Sequence, residues 1–185
     1  MRRMKKLFSL VMVGVMAFSL VACSTKKDDQ GAGNIKDVPV SEIQTAVKEA
    51  YGEAYIPSMD YDAQTLESIF GVKEDWYEEF IAQGPMMSAH VDTFVAIKAK
   101  EANVQDVVDA LNSYREYLVN DSMQYPMNQI KIQASRVEQV GNYVFFILLG
   151  EIPTDVEDQS EDKMLEAAKE QAQIAVDAIN KVLTK

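Results

Sequence analysis

Ser135-Arg136-Val137-Glu138-Gln139-Val140-Gly141-Asn142-Tyr143-Val144-Phe145-Phe146-Ile147-Leu148-Leu149 reads as two strands joined by a tight turn. Gly141-Asn142 is a residue pair that tolerates the left-handed backbone of a two-residue hairpin loop. The second arm is apolar on both of its alternating faces, which predicts a central strand covered by helices on at least one side. A further strand is expected over Thr93–Ala99. There Thr93, Val95, Ile97 and Ala99 fall on one face, and Phe94, Ala96 and Lys98 on the other. Glu74 to about Phe80 predicts a helical turn or two running into a strand through Ile81, which Gly84-Pro85 breaks.

The remaining periodicities are helical. Ser41 and Gln44 have capping-box spacing, Ile43, Ala46, Val47 and Ala50 form a stripe, and Gly52 stops it. A short helix follows, with Asp62 as cap, Leu66, Ile69 and Phe70 as its buried side and Gly71 as its end. Residues 103–119 carry Val104, Val107, Val108, Leu111, Tyr114 and Leu118 at steps of three and four, and Pro126 opens a short helix through Ile132. From about Ser160 a long helix is expected, with Leu165, Ala168, Ala172, Ala175, Ile179 and Val182 on one side. That stripe suits packing on a sheet; it is too short to argue for a coiled coil. No internal repeat is present. Strands joined by short loops imply an α+β fold: a small antiparallel sheet, helices packed mainly on one face, and a long C-terminal helix.

The N-terminus has a different character. Arg2-Arg3 and Lys5-Lys6 precede a 16-residue apolar run, Leu7–Ala22, and Leu20-Val21-Ala22-Cys23 closes it. As a helix the run would reach ~24 Å, short of the ~30 Å of a hydrocarbon core. The layout is that of a signal peptide cut between Ala22 and Cys23, and it resembles the bacterial lipobox. Cys23 would carry diacylglyceryl, whose two chains (palmitate among the usual kinds) anchor stably where one holds marginally. It is the only cysteine, so no disulfide follows. The expected organisation is a signal at 1–22, a lipidated, flexible tether at 23–38 and one α+β domain at 39–185.

The 163 residues from Cys23 onward hold 14 basic against 29 acidic side chains, a formal charge of −15. Phosphate backbones and anionic head groups repel such a surface, so nucleic acid is not an expected partner. The expected partners are the membrane, through the lipid, and another envelope protein or wall component on the extracytoplasmic face.

The chemistry of catalysis is thin. His90 is the only histidine, too few for the common zinc sites, and no cofactor is expected. Ser88 and Asp92 sit two positions from it, a spacing that sets no triad geometry, and no Gly-x-Ser-x-Gly elbow occurs. The acid run Asp155, Glu157, Asp158, Glu161 and Asp162 is a candidate for Ca²⁺, and within it Asp158, Ser160 and Asp162 have the alternate oxygen spacing of the first half of an EF-hand loop. The turn glycine is missing and Lys169 stands where the distal Glu belongs, so the acids fit a helix N-terminus better. Asp60/Asp62 and Glu78/Glu79 are carboxylate pairs, but a glycosidase needs two acids facing across a cleft. Walker and dinucleotide loops are absent. Asn120-Asp121-Ser122 is a glycosylation sequon with little weight in a bacterial lipoprotein. Tyr51, Tyr55, Tyr61, Trp76 and Tyr77 crowd the N-terminal half. Tyr55, Met59, Trp76 and Tyr77 are the candidate binding surface, with core packing as the alternative. The expectation is a tethered, non-catalytic binding module. The alternatives are a carboxylate-dependent wall hydrolase and an oligomerising structural subunit.

Tyr55-Ile56-Pro57-Ser58-Met59, Gly84-Pro85-Met86-Met87, Phe94–Lys100, the Val107–Leu118 helix, Tyr125-Pro126 and Gly141–Phe146 occur in an order that resembles a family of bacterial envelope lipoproteins, domain of unknown function 4358. The resemblance spans roughly residues 40–150. It implies a signal-borne lipoprotein with a small α+β domain, found mainly in Gram-positive anaerobes, and it transfers no activity.

Overall fold

The computed structural model describes residues 35–184 except Glu157. Cys23 and Ala22, with the signal and most of the expected tether, lie outside the described residues. The chain runs α1 (Val40–Tyr51), β1 (Met59–Asp60), α2 (Ala63–Phe70), β2 (Tyr77–Gly84), β3 (Thr93–Ala99), α3 (Val104–Asn120), α4 (Pro126–Ala134), β4 (Arg136–Val140), β5 (Tyr143–Leu148) and α5 (Glu161–Leu183). The strands form one antiparallel sheet in the order β1-β2-β3-β5-β4. Gly141, at φ 62°, turns the β4–β5 hairpin where the sequence places it.

The class, the antiparallel sheet and the long last helix agree with the sequence. The helices, however, cover both faces rather than mainly one. On one face α1 and α5 lay Ile43, Val47, Ala172, Ala175 and Ile179 over Phe94, Ala96, Phe145 and Ile147. On the other, α2 and α3 lay Leu66, Phe70, Val107 and Leu111 over Val95, Ile97, Val144 and Phe146. The cause is visible in β5, where every residue is buried: a strand without a polar face must be covered twice.

Local departures have local reasons. Pro39, in extended conformation, holds the N-cap position of α1, so Ser41 lies inside the helix and its carbonyl accepts the Thr45 hydroxyl at 2.8 Å. Asp62 does cap α2, accepting the Thr65 amide at 2.8 Å, and Gly71 ends it at φ 73°. Ile69 is nevertheless exposed, because only Leu66 and Phe70 of that short helix reach the core. The expected helix over 74–80 is a single 3₁₀ turn, Glu74–Trp76, and β2 already begins at Tyr77. In α5 the buried stripe starts at Met164 and ends at Leu183, one residue off Leu165 and Val182.

Residues 35–38, inside the stretch expected to be tether, are docked on the domain. Lys36 N donates to Leu183 O at 2.9 Å. The buried Tyr143 hydroxyl accepts the Val38 amide at 2.9 Å and faces the Val38 carbonyl at 2.7 Å and Asp37 Oδ1 at 3.0 Å. A bulge at Glu78 in β2 turns that side chain toward Lys98, whose ammonium lies 3.2 Å from Glu78 and 2.7 Å from Asp37. The Lys98 ammonium, and after it the Tyr143 hydroxyl, hold the Asp37 carboxyl below its ordinary 3.8. A depressed folded value means the docking is complete above that ordinary value and is lost as the pH falls through the lowered one. In an acid titration the Val38 amide resonance is expected to move to its random-coil position over that range. In Lys98→Met it should lie close to there already at neutral pH; an unshifted Val38 resonance in the variant would refute the coupling.

Candidate functional site

The two ends of the sheet differ. At the near end stand Tyr143, Lys98 and the bulged Glu78, with the N-terminal segment fastened across them. At the far end β2 finishes at Gly84, β3 starts at Thr93 and β5 finishes at Leu148. Five steps of ~3.4 Å along β5 set the ends about 17 Å apart.

The far end is organised by one buried ion pair. Asp92 is fully buried, and its Oδ2 lies 2.6 Å from Lys131 Nζ of α4. Asn128 Nδ2, also on α4, donates to the Ala89 carbonyl at 2.9 Å. These contacts fasten α4 against the loop 85–92, and exposed sulfur gathers around it. Met86, Met87 and Met123 are 75, 62 and 97 % exposed; Met127, Tyr125 and Met59 (paired with Gly84) are exposed as well. Of the six methionines among the described residues, only Met164 is buried. Methionine is ordinarily a core residue, so this reversal at one end marks a surface. Residues 85–91 and 122–130 contain no charged side chain, in a chain that is otherwise strongly acidic.

The structure does not bring Tyr55, Met59, Trp76 and Tyr77 together. Tyr55 packs edge-on against Phe94 beneath α1, and its hydroxyl donates to Gln83 Oε1 at 3.1 Å. Burial pushes its phenol well above the ordinary range. Met59 lies at the far end of β2; Trp76 and Tyr77 lie at its near end, beside the opposite face. Tyr77 packs edge-on against Phe80, with ring centroids 5.0 Å apart. Trp76 does line a groove of about 550 Å³ between α2 and α3, together with Tyr114, Tyr117, Asp106 and Asp109. Sequence reasoning missed the other four because α3 reads as an ordinary amphipathic helix. It missed the methionine end because its residues come from three loops and short elements without a period. The usable signal was two uncharged, methionine-bearing segments.

The other nominated residues have structural partners. Asp92 is committed to Lys131, and among the described residues no hydrogen bond joins its side chain to Ser88 or His90; His90 N closes a turn onto Met87 O. Asp60 Oδ1 accepts from Gln83 Nε2 at 2.5 Å and Asp62 caps α2. Glu78 lies five strand residues from Gln83, roughly 17 Å along β2, beyond the ~5–9.5 Å of a glycosidase pair. Glu161 and Asp162 occupy the first turn of α5, where the helix dipole favours acids. Among the described residues no helix is long and apolar enough to cross a membrane, and no group of three or more His, Cys, Asp or Glu is placed to hold a metal ion.

The family model for a domain of unknown function (DUF4358) matches residues 50–149. No curated protein and no solved structure matches the chain. The matched span runs from the last turn of α1 to the end of β5, and so takes in all five strands, the α2–α3 groove and the methionine-bearing loops. It covers more than half of the chain, which therefore belongs to the DUF4358 family.

Proposed function

We propose that the protein is an extracytoplasmic lipoprotein, anchored to the cell membrane through Cys23, whose domain is a non-catalytic binding module that docks a protein of the cell envelope at its methionine-rich end. The single observation that carries this reading is the opposition of the two sheet ends. The segment leading back to Cys23 is fastened at the near end, while five methionines stand exposed at the other. Unbranched, polarisable thioethers mould to a partner surface better than branched side chains do. The absence of charge in residues 85–91 and 122–130 lowers the desolvation cost that acids or lysines would bring to an interface there. The tether side faces the lipid, so a partner is met on the side that points away from it.

Two measurements test this. Cys23→Ala is expected to move the protein from the membrane fraction to the soluble fraction with no change in its unfolding midpoint. Firm membrane retention of unlipidated mature protein would refute the anchor. Crosslinking in intact cells is then expected to give a partner whose recovery falls at least tenfold in Met86→Lys/Met123→Lys, two exposed positions where lysine should not disturb the core. A partner recovered equally by that variant, or none above the Cys23→Ala control, would refute the binding surface.

A further inference from the structure

The five exposed methionines belong to none of the buried clusters among the described residues, whereas Met164 packs with Ile130, Ala134, Ile152 and Ala168 in one of them. Met127, the least exposed of the five, is 41 % exposed; Met164 is 9 % exposed. A thioether reacts as far as an oxidant in solution reaches its sulfur, so this gap sorts the six methionines into two groups. The domain from residue 39 holds no cysteine, and no thiol competes with them there.

Among the described residues, the contacts that fasten this end use no sulfur atom. Asp92 Oδ2 meets Lys131 Nζ at 2.6 Å, and Asn128 Nδ2 donates to the Ala89 carbonyl at 2.9 Å. The His90 amide donates to the Met87 carbonyl at 3.1 Å, a backbone contact that leaves the Met87 side chain outside. Oxygen added to the exposed sulfurs breaks none of these. It does change the surface. A sulfoxide is polar, and covering it with a partner strips away its water. Met86, Met87, Met123 and Met127 lie in or against segments without a charged side chain, 85–91 and 122–130, where that gain in polarity is felt most.

We infer that Met59, Met86, Met87, Met123 and Met127 form an oxidant-responsive surface. Hydroperoxides convert their thioethers to sulfoxides, the domain stays folded, and docking at this end is lost until a sulfoxide reductase restores the sulfur. In each oxidation a sulfur lone pair takes one oxygen of the peroxide, the O–O bond breaks and the other oxygen leaves as water. The sulfur gives up two electrons and the peroxide gains them. Reversal releases the sulfoxide oxygen as water while two thiols of the reductase close a disulfide. The inference rests on the docking proposed above and adds its regulation.

The mature lipoprotein in detergent is treated with hydrogen peroxide and followed by intact mass and peptide mapping. Five oxygen atoms are expected to add, Met123 first because it is 97 % exposed, with Met164 spared and the unfolding midpoint unchanged. Oxidation of Met164 as fast as the other five, or a lower midpoint once five oxygens are on, would overturn the inference. Met59→Leu/Met86→Leu/Met87→Leu/Met123→Leu/Met127→Leu keeps the surface apolar at nearly constant volume and removes the sulfur. Crosslinking in intact cells is repeated after brief peroxide exposure. Partner recovery is expected to fall at least tenfold for the native protein, and less than about twofold for the leucine variant against its own untreated cells. Equal losses in both proteins would overturn the inference. The untreated arm tells the two readings apart: no partner there refutes docking itself, whereas a partner recovered there and kept after peroxide refutes only its control by oxidation.

Discussion

Lys131→Ala is expected to lower the unfolding free energy by about 3–5 kcal/mol, a large part of the ~5–15 kcal/mol that holds a domain of this size together. Asp92 is wholly buried, and Lys131, 2.6 Å away, is its only charged partner among the described residues. Its Oδ1 atom has no hydrogen-bond partner there either. Removing the ammonium would leave a buried carboxylate with no charged partner among the described residues to offset its desolvation. The pair itself adds far less than that, because forming it required stripping water from both ions. Asp92→Leu/Lys131→Met is therefore expected to recover most of the loss or to exceed the native protein. Urea unfolding followed by circular dichroism measures both variants. A loss under about 1 kcal/mol in Lys131→Ala would show that the site is wetter than its burial implies.

The second large effect concerns neighbours in one strand. Phe145→Ala and Phe146→Ala are each expected to cost about 3–5 kcal/mol, through lost burial and the cavity left behind. Their rings point to opposite faces. Phe145 stacks on Phe94 under α1 and α5, with centroids 6.5 Å apart, and Phe146 meets Phe70 and Tyr114 under α2 and α3. A sheet covered on one face would make one substitution severe and the other mild. Two comparable losses in urea unfolding are the expected result of two full layers. A difference of more than about 2 kcal/mol would mean that one face collapses to fill its cavity far better than the other.

The contrast between Phe145 and Phe146 also marks how much of the fold was legible. Side-chain alternation identified β3, and the Gly141-Asn142 turn followed by an arm apolar on both faces identified the β4–β5 hairpin, because a tight turn restricts its residues and a central strand is buried twice. Val107 and Leu111 identified α3 in the same way with the helical period. Periodicity says that a face is buried, but not by what, so the division of helices between two faces had to come from coordinates. β1 was invisible because two residues have no period, and Ser41 lost the capping position to Pro39, whose fixed φ suits the extended residue before a helix.

The site was less legible than the fold. Aromatic residues near one another in sequence, such as Tyr55 and Trp76, went to opposite faces of the sheet. Position along a strand, which separates Met59 from Tyr77, depends on strand length, and β2 runs longer than its composition suggests. Nothing local to Asp106 or Asp109 announces a groove. It exists because α2 ends at Gly71 and lays its last turn beside α3.

The hydrogen bond from Lys36 to the Leu183 carbonyl places residues 147 positions apart side by side. Topologically the fold between them is a closed loop with a single doorway, on the near side of the sheet. A fold whose entry and exit share a doorway can be spliced into another chain, or carry one behind it, without rerouting any strand. Whatever is joined there stays clear of the far end. In modular terms, the methionine-bearing end of this domain is independent of whatever chain is joined at the other.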